Sequence, residues 1–149
     1  MKNDNKGFSL IELIVVIAIM AILVGAIAPQ VTKYIQRARE SADIQAAGTL
    51  YTAMTVTLAD PLITPPTLPV AAGTAWSAVG NDAFKAAVIE TLGVADAAAY
   101  NNTFKSNKYK GKVPTVAVAA NGGVTITIAG EGANLTVDGT GAKETGVSK

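Results

Sequence analysis

Hydrophobic and polar positions are distributed very unevenly along this chain. Residues 13–28 include no polar side chain, whereas beyond Gln30 apolar and polar residues alternate as they do in soluble proteins. The apolar run over residues 8–28 is close to the ~20 residues that cross a hydrocarbon core as a helix. It passes without a linker into a second pattern. Val31, Ile35, Ala38, Ala42, Ala46, Leu50, Met54 and Leu58 recur every three or four positions, which marks one apolar stripe. Lys33, Arg37, Arg39, Glu40, Asp43 and Gln45 fall mostly off it. One helix over residues 8–59 is therefore predicted, roughly 75–80 Å long at a rise of about 1.5 Å per residue. Only its second half could lie against a globular head. Pro29 interrupts it. Proline has no N–H, and its ring crowds the carbonyl four residues earlier, so a kink or loosened turn between Gly25 and Pro29 is expected.

The helix should end at Asp60-Pro61, followed by a proline-rich loop over residues 61–69. Asn81-Asp82, residues 83–92 and Gly93 read as a short capped helix, with residues 95–100 as an extension. Residues 115–120 and 124–129 alternate around Asn121-Gly122-Gly123, a hairpin signal. In that hairpin Val116, Val118, Ile126 and Ile128 should face the long helix, and Thr125 and Thr127 should face water. Residues 135–137 read as a third strand. Gly130-Glu131-Gly132 is a turn and not a phosphate loop, because no helix follows it. The fold class expected is α+β: a long N-terminal helix packed on a small antiparallel sheet. Residues 8–29 form the apolar helix, and residues 30–149 the head, including the helix's second half.

Composition narrows the chemistry. At 149 residues the chain has room for one modest domain and an accessory element. The net charge of +1 gives no global attraction to nucleic acid. With no Cys and no His, thiol nucleophiles, Cys/His metal sites, Ser-His-Asp triads and disulfides are excluded. No cluster of titratable residues stands out, and the chain is not read as an enzyme. No cofactor or metal is expected.

Three roles compete for the apolar run. A cleaved secretory signal has a small-residue site beyond its apolar stretch; Ala26 and Ala28 offer one, but Pro29 would directly follow the cut. A membrane-spanning helix fits better than that or a buried core helix, yet it carries Glu12. A carboxylate at the centre of a membrane helix costs roughly 2.5–3.5 kcal/mol, less near an end, and such residues are functional by default. The surrounding residues, Lys6-Gly7-Phe8-Ser9-Leu10-Ile11-Glu12-Leu13-Ile14, resemble the cleavage and N-methylation motif of type IV prepilins, with a polar leader over residues 1–7 ahead of it.

That resemblance implies a course of events. A membrane aspartyl peptidase cuts between Gly7 and Phe8 on the cytoplasmic side and methylates the new amine of Phe8. Gly7 suits the cut because a residue without Cβ leaves the backbone accessible. Cleavage would remove Lys2, Asp4 and Lys6, leaving ten of 12 basic and ten of 11 acidic side chains. The apolar helix is retained as a single-pass anchor in the cytoplasmic membrane, and an assembly platform builds copies of the subunit into an extracellular helical filament. In the family, Glu12 meets the amine of a neighbouring subunit and sets the axial register. The competing reading is a pairing within one subunit, since residues four apart share a helix face. Pilin helices also carry a proline at the position of Pro29 and partly unwind there in filaments.

The resemblance leaves the type of filament open. A type IV pilus subunit for adhesion, motility or DNA uptake is the first reading, and a pseudopilin of a type II secretion system the alternative. A membrane-tethered enzyme that borrows the motif is the weakest. Major pseudopilins hold calcium in a C-terminal loop; here Glu131, Asp138 and Glu144 are widely spaced, and solvated turn chemistry is the favoured reading. Lys105, Lys108, Lys110 and Lys112, interleaved with Phe104 and Tyr109, have the composition of a DNA-binding strip, lysines on phosphates and rings on bases. A solvated surface is the commoner role for such a segment. Asn101-Asn102-Thr103 and Asn134-Leu135-Thr136 match the N-glycosylation pattern, one that arises often by chance.

Overall fold

The computed structural model describes residues 8–146; the expected leader and its Gly7 lie outside the described residues. The first element is helix α1, Leu10–Ala59, which stays α-helical through Pro29. The chain divides into two compact units, Met1–Gln36 and Arg37–Lys149. In the first, the described part is α1 alone. Every residue from Phe8 to Ile35 is exposed.

The second unit is the head. After α1 come strand β1 (Val70–Ala75), a 3-10 turn (Trp76–Ala78), helices α2 (Asp82–Leu92) and α3 (Ala97–Asn101), then strands β2 (Thr115–Val118), β3 (Val124–Ile128), β4 (Ala133–Asp138) and β5 (Gly141–Gly146). The strands form one antiparallel sheet in chain order, β1-β2-β3-β4-β5. The α+β expectation is met. Strands β2 and β3 are the expected hairpin, with Val116, Val118, Ile126 and Ile128 buried and Thr125 and Thr127 partly exposed. The expected third strand is β4. Strands β1 and β5 lacked a sequence signal, because neither alternates: all six residues of β5 are exposed, and β1 is buried at no position.

Helix α2 forms where its caps predict. The Asn81 side chain accepts the Phe84 N–H at 2.8 Å, and Gly93 ends the helix in the left-handed conformation at φ 65°, which glycine adopts at no steric cost. The expected extension over residues 95–100 is corrected. Gly93 stops α2, and Asp96 starts a separate helix by accepting the Ala99 N–H at 2.7 Å.

The buried face of α1 within the head also differs from the predicted stripe. Ala38 and Ala42 are exposed, and the buried positions are Asp43, Ala47, Leu50, Ala53, Met54 and Thr57. Alanine and threonine carry too little hydropathy contrast to mark a face, so neighbouring faces of this helix look alike in sequence. Leu50, Met54 and Ala47 join the inward strand residues and an aromatic group: Trp76, Phe84, Tyr100, Phe104 and Tyr109 are all buried. Trp76 meets Tyr100 edge-to-face at 5.3 Å, and Tyr100 meets Phe104 at 5.8 Å. Such pairs add about 0.5–1.5 kcal/mol each beyond area burial.

Candidate functional site

The helix begins just before Glu12. Ser9 precedes α1, and Glu12 Oε2 accepts the Ser9 backbone N–H at 2.8 Å. This is the carboxylate half of a capping box, in which an acidic residue in the first turn reaches back to an orphan N–H. The helix dipole further favours a negative charge there. Glu12 therefore has a local partner in the single chain, and it is an amide rather than an amine. The signal was present in sequence as Ser9-x-x-Glu12 ahead of an apolar run, but the stronger motif around it drew the reading toward intersubunit charge. Phe8, the expected new N-terminus, is 88% exposed.

Pro29 lies within continuous helix and can offer Gly25 no N–H. Close by, the Thr32 hydroxyl donates to the Ala28 carbonyl at 3.1 Å. A Cβ on Gly25 would meet nothing within 4 Å, so packing inside the chain does not demand glycine there.

The structure separates the rings of the lysine strip from its lysines. Phe104 and Tyr109 are buried, and rings in a core cannot stack on bases. Lys108 is held between two carboxylates, 3.3 Å from Glu144 and 3.5 Å from Glu40. Lys105, Lys110 and Lys112 are exposed. The alternation of basic and aromatic residues instead records a segment that turns its rings inward and its ammonium groups outward.

Beside that segment is a residue that sequence reasoning placed off the buried face. Asp43 on α1 is 1% exposed, and its two carboxylate oxygens accept the backbone N–H groups of Lys105 and Ser106, each at 2.9 Å. One carboxylate thus pins the loop before β2 to the helix. No pattern in the sequence pairs residues this far apart.

The remaining candidates are engaged in local structure. Asp138 Oδ1 accepts both the N–H (2.7 Å) and hydroxyl (2.6 Å) of Thr140 in the β4–β5 turn; the Thr140 bonds lower its affinity for a proton against the opposing effect of desolvation. Glu144 accepts the Tyr109 hydroxyl at 2.9 Å. Among the described residues no group of three or more Asp, Glu, His or Cys could hold a metal ion. In the two glycosylation matches the side-chain oxygens are engaged: Asn101 accepts the Trp76 indole N–H at 2.8 Å, and Asn134 the Gly130 N–H at 3.4 Å.

The described residues thus comprise a helix whose first stretch is apolar and exposed, and a small α+β head. Comparison with known proteins finds likeness over part of the chain. Residues 2–28 match the prokaryotic N-terminal methylation motif. The chain is 42% identical over 60 residues to a type IV major fimbrial protein FimA of Dichelobacter nodosus, and 40% identical over 60 residues to another of the same description and organism. Each match covers 40% of this chain and 38% of the relative, so the chain spans under half the length of the curated relatives it matches. No solved structure matches. Motif and likeness together support a type IV pilin.

Proposed function

We propose that this chain is a structural subunit of a type IV pilus, cut by a prepilin peptidase between Gly7 and Phe8, methylated on Phe8, anchored in the cytoplasmic membrane and then polymerised into an extracellular filament. One observation carries the reading. All fourteen large apolar side chains from Phe8 to Ile27 are exposed, and none of the membrane-length stretch of α1 is buried. Each such side chain gains roughly 1.5–3 kcal/mol on full burial. A surface of that size needs lipid before assembly and neighbouring copies afterwards, and a retained helix can use both in turn.

Glu12 fits this reading as a charge with two successive partners. The capping box satisfies it while the subunit waits in the membrane, and the Phe8 ammonium of a neighbouring copy replaces that bond on assembly. An unpaired charge in an apolar setting is expensive and a paired one tolerable. The family resemblance supports the second partner, and the Ser9 bond supports the first. The pseudopilin alternative calls for a C-terminal calcium loop of several converging oxygens. Asp138 and Glu144 are already engaged by Thr140, Tyr109 and Lys108, which favours the pilus. Intact-mass analysis of shed filaments tests the proposal. The expected species begins at Phe8 and carries one methyl group; a mature chain starting after Ala28 overturns it.

A further inference from the structure

Strand β5 is an edge strand with little apolar surface to hold it. The register sets Glu144 opposite Leu135 and Ala142 opposite Val137. Side chains alternate across a sheet, so Glu144 lies on the face that carries Leu135 and Val137, at the rim of the core. An inward-pointing charge on an edge strand discourages pairing with another chain, but it needs a partner of its own. Here it has two. Tyr109 donates its hydroxyl to Glu144 Oε1 at 2.9 Å, and Lys108 Nζ lies 3.3 Å from Glu144 Oε2 and 3.5 Å from Glu40 Oε2 on α1. The Tyr109 ring is fixed against Gly130, where a Cβ would stand 2.6 Å from the ring and 2.3 Å from the Ala133 carbonyl. Among the described residues, this cluster ties β5 to the head in addition to its ladder with β4.

We propose that Tyr109, Lys108, Glu40 and Glu144 form an acid-releasable clasp, which in acid frees β5 and uncovers the edge of β4 while the core stays folded. Protonating Glu144 removes its attraction to Lys108 and weakens its bond to the Tyr109 hydroxyl. In the closed state the Tyr109 hydrogen bond, and after it Lys108, holds the Glu144 carboxyl below its usual range against the opposing effect of burial. Burial first, then Glu144 and the carboxylates of Glu40 and Asp43, push the Tyr109 phenol up, so it remains a donor. A depressed folded-state value means the clasp is at full strength above the ordinary value of 4.5 and is lost as pH falls through the lower folded-state value. The other charges near the cluster are Asp43 on α1, which is tied to Lys105 and Ser106; Glu131, whose N–H donates to the Lys108 carbonyl; and Lys143 on β5, which donates to Thr140.

Amide hydrogen exchange on the full chain in detergent, from pH 7 to pH 3 with intrinsic rates corrected, tests the clasp. Relative to amides around Leu50, the β5 amides should lose about tenfold protection in acid. Tyr109→Phe keeps the ring and should show that loss already at neutral pH. Glu144→Gln should flatten the acid response of β5 while leaving the protection of the Lys105 and Ser106 amides, which bond to Asp43, as in wild type. The proposal is overturned if neither substitution alters β5 exchange, or if β5 opens only together with the Leu50 region.

Discussion

Replacing Asp43 by alanine should be among the most damaging single changes in the head. The side chain is 1% exposed and accepts two backbone N–H groups at 2.9 Å, from Lys105 and Ser106. Hydrogen bonds to a charged acceptor contribute about 1.5–3 kcal/mol each, and a buried donor left without a partner costs about 1–3 kcal/mol. Removing the carboxylate also removes a buried charge, and that desolvation relief offsets part of the loss. A net destabilisation of about 3 kcal/mol follows, a large share of the ~5–15 kcal/mol that holds a typical domain. For a head of this size it lowers Tm by roughly 10–20 °C. Asp43→Asn retains one acceptor oxygen but turns an amide toward the second N–H, and should fall between wild type and alanine. The assay is thermal unfolding of the full chain in detergent, followed by tryptophan fluorescence, since Trp76 is buried in the same core. A Tm within about 2 °C of wild type for Asp43→Ala would refute the reasoning, because surface substitutions alone stay within about ±0.5 kcal/mol.

Three further outcomes are expected. Glu12→Gln keeps a capping group, since glutamine serves at that position too, but has no charge; filament yield should collapse in it as in Glu12→Val while membrane insertion persists, and normal filaments from Glu12→Gln with none from Glu12→Val would reduce Glu12 to a cap. A fragment starting at Gln30 should be monomeric without detergent, whereas the chain from Phe8 should need detergent or a filament; a detergent-free monomer of the longer chain contradicts the exposed helix as an anchor. Melting of the Gln30 fragment should not change when calcium is added or chelated, and a calcium-dependent rise of several degrees would move the reading to the pseudopilin.

Much of this chain was legible before any coordinates. The apolar run over residues 8–28, the capped helix α2 and the β2–β3 hairpin each declare themselves through neighbours in sequence: an unbroken apolar stretch, an Asn81 cap with Gly93 as stop, and alternation around Asn121-Gly122-Gly123. The N-terminal motif was equally local, and the family model matches residues 2–28. What escaped was long-range. Asp43 meets Lys105 and Ser106 across more than sixty positions, Glu144 meets Tyr109 across 35, and β1 and β5 are strands only because β2 and β4 supply their partners.

Sequence by itself thus determined the long helix α1, the capped helix α2 and which hairpin closes, and that the first stretch of α1 is long and apolar enough to cross a membrane. Local propensity and hydropathy act within a few residues, so those features need no fold to be read. Only the tertiary structure decided which face of α1 the head buries, that the rings of Phe104 and Tyr109 point inward while Lys108 is held between Glu40 and Glu144, and that Asp43 anchors a distant loop. Those depend on where the chain returns upon itself, and a buried carboxylate or an inward lysine neighbour is stable only against partners that no local pattern specifies.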